Sequence, residues 1–381
     1  MSIELLVELI KNLYFSKLVT LMLNFSHDSI FFPRYLILYE FHVIIFTFPV
    51  PVLDPLASYS HFTSLNVRMK IKIFWSLFLL VSSTNCDESC GGGTEDIRAI
   101  ENLIDLERYP IHRPGTQYDD LVAFCQDQLK KVGSVDLPGF IRSSVLEKMS
   151  AEVDNLPSYN RLNIVSAYGA ALDDEPEEMN RTMPDWNGQA HPAKRKFSQD
   201  VFAVAGDQIP RKALIRRIYE SEIFSNFLAR ASGKEKMYQM DDEFQNINIM
   251  YMYDGCSRAW HYDGTDTVIT ILLQKPELGG EYEFAPFIRG KERGEENFED
   301  VARLFDGSYH NNIVKNAESG TLNLFNGVRS LHRVRTVYGP KKRIISILSY
   351  HTEPNLRGSI SKNVKLYGER VASIYKERGL L

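Results

Sequence analysis

The sequence predicts a mainly β fold with flanking helices (α+β). Two observations carry that prediction. From Asn246 onward the apolar period changes from helical to alternating, in short runs rich in Ile, Val, Tyr and Phe. Turn signals then separate the runs: Pro276-Glu277-Leu278-Gly279-Gly280, Asn326-Gly327 and Gly339-Pro340. Short, mostly antiparallel strands punctuated in this way stack as two sheets, a jelly roll or double-stranded β-helix of the cupin-like kind.

A chain of 381 residues can bury a sizeable core, and its apolar and charged fractions are those of an ordinary globular protein. The net charge of −5, with no basic stripe interleaved with aromatics, gives no reason to expect nucleic acid. The four cysteines, Cys86, Cys90, Cys125 and Cys256, are too few and scattered for a disulfide scaffold. Cys86 and Cys90 could pair or hold a metal, but no second Cys/His pair stands at zinc spacing.

Residues 1–95 read as a hydrophobic, poorly structured leader. Tyr35 to Leu53 is nearly long enough to span a bilayer, but Glu40, His42, Pro49 and Pro51 interrupt it, so membrane contact is not expected, and could come only through residues 1–85. At Met69 two lysines, an apolar run from Ile73 to Val81 and small polar residues up to Cys86 make a short secretory signal. If Met69 is the true start, the compartment is the secretory pathway and Asn180-Arg181-Thr182 is a possible glycan acceptor; otherwise the chain is expected in the cytoplasm.

Residues 96–245 read as a part made of helices and loops. Cys90-Gly91-Gly92-Gly93 marks a flexible joint before it. Tyr118 to Lys131 places Leu121, Phe124, Cys125 and Leu129 on one helical face. Leu137-Pro138-Gly139-Phe140 breaks the chain, and Ser143 to Glu147 caps a second helix from Val145 to Asn155. Residues 156–212 are polar and loop-rich; in them His191 to Lys196 is a basic cluster, either a solvated face or a help in holding an acid. Ala213 to Ala231 reads as one helix. Residues 246–356 hold the strands: Asn246–Tyr253, Thr267–Gln274, Gly280–Phe287, Thr321–Phe325, Ser330–Tyr338 and Arg343–His351, with a helical insertion at Gly294–Asp306. Residues 357–381 are a charged tail expected to pack on the outside.

The strand region carries the chemistry. His261 and Asp263 stand at i and i+2, so on a strand both leave by one face. An imidazole and a carboxylate supply two corners of an octahedron and His332 would bring the third, a donor set that suits Fe(II) and leaves positions open. If the Gly339-Pro340 turn pairs Tyr338 with Lys341, then His332 lies opposite Ile347 and Thr336 opposite Arg343. His332, Val334, Thr336, Arg343, Ile345 and Ile347 would then share a face. An arginine among isoleucines on an inward face is costly without an anion, and a carboxylate gripped by its guanidinium meets that need. The alternative is that Arg343 ends its strand pointing to solvent, as Lys341 and Lys342 do.

These segments resemble the 2-oxoglutarate/Fe(II)-dependent oxygenases, and within them the branch of free-amino-acid halogenases and related hydroxylases. Trp260-His261-Tyr262-Asp263, Pro276 to Glu283, Gly320 to Gly327 and Ser330 to Val334 carry the resemblance, and Leu137-Pro138-Gly139-Phe140 is similar to a stretch before the catalytic core. It spans Asp96 to Leu366. It implies that His261, Asp263 and His332 bind Fe(II), that Arg343 binds the distal carboxylate of the cosubstrate 2-oxoglutarate, and that Arg195 helps at the cosubstrate. It also implies that O2 is consumed, with release of succinate and CO2. The halogenases of this branch have Gly where Asp263 stands, which admits chloride to the iron; with the carboxylate present the expected outcome is hydroxylation.

The branch suggests a small-molecule substrate, a free amino acid or a derivative, with contacts at Trp260, Asn248 and Ser349. For Trp260 and Tyr262 the alternative reading is that they are core aromatics. A secretory start at Met69 would favour a prolyl or lysyl residue of a polypeptide instead. A cupin-like metal-binding module without turnover is the reading outside enzymes.

Overall fold

The computed structural model describes residues 19–23, 34–39, 42–46, 90–160, 163–168, 186, 191–291 and 295–381, and the chain divides into two units, 1–85 and 86–381. Met69, Cys86 and the Asn180 sequon lie outside the described residues. In the first unit Val19–Leu23, Arg34–Tyr39 and His42–Phe46 form an antiparallel meander, where the sequence reading expects no regular structure. Among the described residues no helix is long and apolar enough to cross a membrane.

The second unit is built on two antiparallel sheets, as predicted. The larger runs in the order Ser134–Leu137, Leu322–Phe325, Val268–Gln274, Arg343–Leu348, Ile247–Met252, Phe202–Val204 and Tyr159–Asn160. The smaller runs Arg258–His261, Leu331–Val334, Tyr282–Ala285 and Ile313–Lys315. The outer face of the larger sheet is covered by helices, where Ile249, Tyr251, Ile269, Ile271, Leu322, Leu324, Ile344 and Leu348 join Phe140, Ile215, Ile218, Phe224 and Phe227 in the main apolar core. That burial is the dominant favourable term in folding.

The Gly339-Pro340 hairpin does not form. Leu331–Val334 belongs to the smaller sheet and Arg343–Leu348 to the larger, while Val337–Tyr338 pairs with Leu278–Gly279. The turn therefore carries the chain from one sheet to the other, because each strand buries its inward face only between neighbours that come from distant sequence. The inward parity survives: His332, Val334, Arg343, Ile345 and Ile347 line one cavity between the sheets, and Thr336 does not.

Several helix limits also move. Cys90–Ile100 is helical rather than a joint. The second helix is Ser143–Val153, with Arg142 at its N-cap and no capping side chain, so Ser143 and Ser144 lie in its first turn. Ala213–Ala231 is two helices, Leu214–Glu220 and Glu222–Ala231, because the Ser221 hydroxyl accepts from Phe224 N (3.2 Å) and restarts the helix as an N-cap. The loop-rich stretch contains Asn163–Ser166 paired with Lys196–Gln199, strands too short to read by period. The insertion is Phe298–Phe305. The tail forms Ile360–Tyr367 and Glu369–Glu377 and is tied in by a buried network: Asp242 Oδ2 accepts from Gly358 N and Asn363 Nδ2, and Asn363 Nδ2 also donates to Tyr375 Oη. Such satisfied buried polar groups fix a single arrangement.

Candidate metal and dicarboxylate site

The Arg258–His261 strand ends at His261, and two residues on, Asp263 N donates to Gly327 O (3.0 Å). This places the Asp263 carboxylate against Gly327: a Cβ there would stand 2.6 Å from Asp263 Oδ2 and 2.7 Å from its Cβ. The Asn326-Gly327 turn is thus a glycine requirement set by the carboxylate. Across the sheet His261 lies opposite His332, their ring centroids 4.1 Å apart.

Both rings are oriented by their own backbone. His261 Nδ1 lies 2.7 Å from Ala259 O, and His332 Nδ1 lies 2.9 Å from Ser330 O. With Nδ1 donating, each Nε2 keeps its lone pair. His332 Nε2 stands 3.1 Å from Asp263 Oδ2 and His261 Nε2 stands 3.7 Å from Oδ1, and the three groups present ligand atoms within 4.8 Å of one another. Ligand atoms in adjacent octahedral corners, each about 2.1 Å from an ion, stand about 3 Å apart, so the spacing fits a two-histidine, one-carboxylate site.

The electrostatics suit a metal as well. Burial, with the charge of Arg258 beside it, holds the His261 imidazole well below its ordinary value, so it is neutral at neutral pH. Burial would raise the Asp263 carboxyl, but His332, which also hydrogen-bonds it, and Arg258 outweigh that and keep it anionic. Arg258 Nε donates to His261 Nε2 (3.2 Å), the ring atom that would face an ion, so an entering ion displaces that bond.

Arg343 opens its strand opposite Met252 and lines the same cavity. It is 5 % exposed, its Nε donates to Gly280 O (3.1 Å), and no carboxylate pairs with it among the described residues. Burial alone pushes it down to about 10. Gly280 makes room for it: at φ +70° a Cβ there would meet Pro276 Cγ at 2.9 Å and Arg343 Cδ at 3.1 Å. Two other cations line the cavity: Arg258 lies against His261, and Lys315 is already neutralised. Lys315 Nζ lies 3.1 Å from Asp136 Oδ2 and also donates to Ser134 Oγ (2.9 Å), and Asn323 donates to Asp136 Oδ1. A buried guanidinium with no counter-charge is therefore the feature that calls for an anion.

The other expected contacts lie elsewhere. Arg195 is half-exposed, paired with Asp306 (2.5 Å) and laid over Phe197 and Phe305. Trp260 is a buried aromatic in the outer cluster with Tyr262 and Tyr168, with Arg333 4.7 Å from its ring centroid. Asn248 donates to Gln245 O and accepts from Tyr367 Oη, and Ser349 Oγ donates to Gln245 O (2.6 Å). None of the four is among the residues that line the cavity. The sequence reading missed Arg258, Tyr282, Thr321 and the Asp136–Lys315 pair. The alternation of the Tyr282 and Asn323 strands could have marked their inward faces, but not the sheet that faces them.

No family model matches the chain, and no curated protein matches it. Among solved structures it is similar to an oxidoreductase of the 2OG-Fe(II) oxygenase family from Burkholderia pseudomallei, at 17% identity over 64% of this chain and 94% of that one, with a TM-score of 0.39. A prolyl hydroxylase from Trichoplax adhaerens in complex with a hypoxia inducible factor peptide matches at 13% identity, over 62% and 91%, with a TM-score of 0.37. HygX from Streptomyces hygroscopicus, with nickel, 2-oxoglutarate and hygromycin B bound, matches at 11% identity, over 58% and 84%, with a TM-score of 0.37.

Proposed function

We propose that this protein is an Fe(II)- and 2-oxoglutarate-dependent oxygenase that hydroxylates a small molecule, a free amino acid or a derivative of one. The observation that carries the reading is Arg343: a buried guanidinium without a carboxylate, in the cavity that also holds the His261–Asp263–His332 cluster. His261 Nε2, Asp263 and His332 Nε2 would hold the metal, and Arg343 would hold the far carboxylate of the cosubstrate through two hydrogen bonds. When bound, the iron supplies the oxidising chemistry that couples decarboxylation of 2-oxoglutarate to hydroxylation. The chain contributes orientation and exclusion of water: Met250, Met252, Ile345 and Ile347 wall the cavity with apolar surface. Asp263 would fill the position that in the halogenases is open to halide, and its presence supports the hydroxylation reading.

The test uses the full chain, purified without air and loaded with Fe(II). Succinate formation from 2-oxoglutarate is followed with and without pools of amino acids, beside Asp263→Ala. Turnover that rises with one pool member and is lost in the variant supports the reading. Metal-dependent turnover that no amino acid stimulates sinks the substrate class and directs the search to a polypeptide or another small molecule. Iron retention with no succinate under any condition leaves a binding module.

A further inference from the structure

A β-bulge turns Arg258 toward the metal cluster. In the smaller sheet Arg258 lies opposite Val334 and His261 opposite His332, so three steps along one strand match two along the other, and the register shifts between them. Residues three apart on a regular strand leave by opposite faces. The extra residue instead puts Arg258 on the inward face with His261, and both line the cavity. It also brings Ala259 O to His261 Nδ1 (2.7 Å) and leaves Trp260 in the outer cluster. Re-aiming a side chain beside an active site is a recurrent use of such bulges.

Arg258 is tied to the cluster by a bond that metal binding breaks. Its Nε donates to His261 Nε2 (3.2 Å), the ring atom that would face an ion. Its charge acts on both His261 and Asp263. Once an ion takes Nε2, the guanidinium loses that acceptor and faces a cation instead. Met250, Met252, Val334, Ile345 and Ile347 give the cavity an apolar wall, which solvates a charge poorly. Lys315 is held by Asp136, and Arg343 is assigned to the cosubstrate in the reading above, so neither is offered to the substrate. A guanidinium displaced inside the cavity is a binding group for an anion that arrives with the substrate.

We infer that Arg258 is a specificity residue, which binds the carboxylate of an amino-acid substrate once metal has released it from His261. This rests on the amino-acid reading of the site. A guanidinium takes a carboxylate through two parallel hydrogen bonds, which fix the orientation of the substrate as well as match its charge. Because Arg258 Nε reaches a ligand atom, an acid on Arg258 is held beside the cluster, and the apolar wall is left for the rest of the substrate. His261 Nε2 and the substrate carboxylate compete for the same guanidinium, so a filled metal site strengthens substrate binding.

The test is equilibrium dialysis on the full chain, without air, with Mn(II) and saturating 2-oxoglutarate so that no turnover occurs. The probes are a pool of the common L-amino acids and the matching pool of their α-carboxamides, which keep the amino group and side chain and lose the acid. The parent should retain one acid in preference to its carboxamide. Arg258→Met should weaken that acid about thirtyfold or more and abolish the preference, and Arg258→Lys should restore part of both. Both variants should hold 2-oxoglutarate as the parent does. Arg258→Met should also bind Mn(II) about fivefold more tightly, because no guanidinium has to be displaced. An unchanged acid constant, equal weakening of acid and carboxamide, or Mn(II) binding that does not tighten would each overturn the inference and leave the amino-acid reading in place. Loss of 2-oxoglutarate instead of the acid would move Arg258 to the cosubstrate and overturn it as well. A parent that retains neither pool refutes the amino-acid reading, and the inference falls with it.

Discussion

Replacing Arg343 with methionine should make the ligand-free protein more stable and weaken its hold on 2-oxoglutarate. The guanidinium is pushed down to about 10 by burial alone. At neutral pH it stays charged, so the folded state bears the desolvation, and the depression corresponds to about 3 kcal/mol. Methionine has nearly the same reach, lies among Met252, Ile345 and Val334, and forfeits only the hydrogen bond to Gly280 O, worth about 1 kcal/mol. The net gain of about 2 kcal/mol should raise the melting temperature by about 5 °C. Binding moves the other way. Truncating one member of a buried charged pair costs about 2–5 kcal/mol, so the 2-oxoglutarate dissociation constant should rise at least thirtyfold, roughly. Thermal melts without ligand and with millimolar 2-oxoglutarate give both numbers: the variant should start higher and gain nothing from ligand. A variant that melts lower and is still stabilised by 2-oxoglutarate would show that Arg343 is structural.

Two further perturbations test the cluster and its support. Gly327→Ala puts a Cβ 2.6 Å from Asp263 Oδ2 and must turn that carboxylate away, so iron affinity by equilibrium dialysis should fall about ten- to hundredfold; unchanged affinity would remove Asp263 from the site. On the outer face of the smaller sheet the buried Glu283 accepts from Arg333 Nε (2.8 Å), Arg335 Nε (2.7 Å) and Asn312 Nδ2 (2.5 Å). Burial would raise its carboxyl, but the two arginines outweigh this and hold it below its ordinary value. Its contribution is therefore present above the unfolded value of about 4.3 and lost as pH falls through the lower folded one. Glu283→Gln should cost about 2 kcal/mol at pH 7, discounted because the arginines are partly exposed, and the gap from the parent should close below about pH 4. Denaturant melts at both values check this, and a gap that persists in acid contradicts it.

How much of this is legible without coordinates depends on the range of the interaction. The strand region, the three candidate ligands and the inward parity of His332, Val334, Arg343, Ile345 and Ile347 follow from the alternation and from residue chemistry, because a period of two is a property of the backbone alone. The break of Ala213–Ala231 at Ser221 was equally local, since a serine N-cap is a short-range signal, but the apolar period ran through it. Strand partners are another matter. Tyr338 and Lys341 flank a turn that looks like a hairpin, yet Leu331–Val334 and Arg343–Leu348 are held by strands distant in sequence, because only that exchange lets each bury its inward face.

The sequence by itself determined which residues could bind a metal and an acid, since imidazole, carboxylate and guanidinium keep their chemistry in any fold. Only the tertiary structure decided which cation was left without a partner. Arg258, Lys315 and Arg343 are all positive and all line the cavity; Arg258 lies against the His261–Asp263 cluster and Asp136, far away in sequence, neutralises Lys315, while no carboxylate among the described residues pairs with Arg343. The same closure of two sheets left the Tyr282 and Thr321 hydroxyls facing inward without acceptors. Charge balance in a buried site is a sum over neighbours, and the neighbours are chosen by the fold.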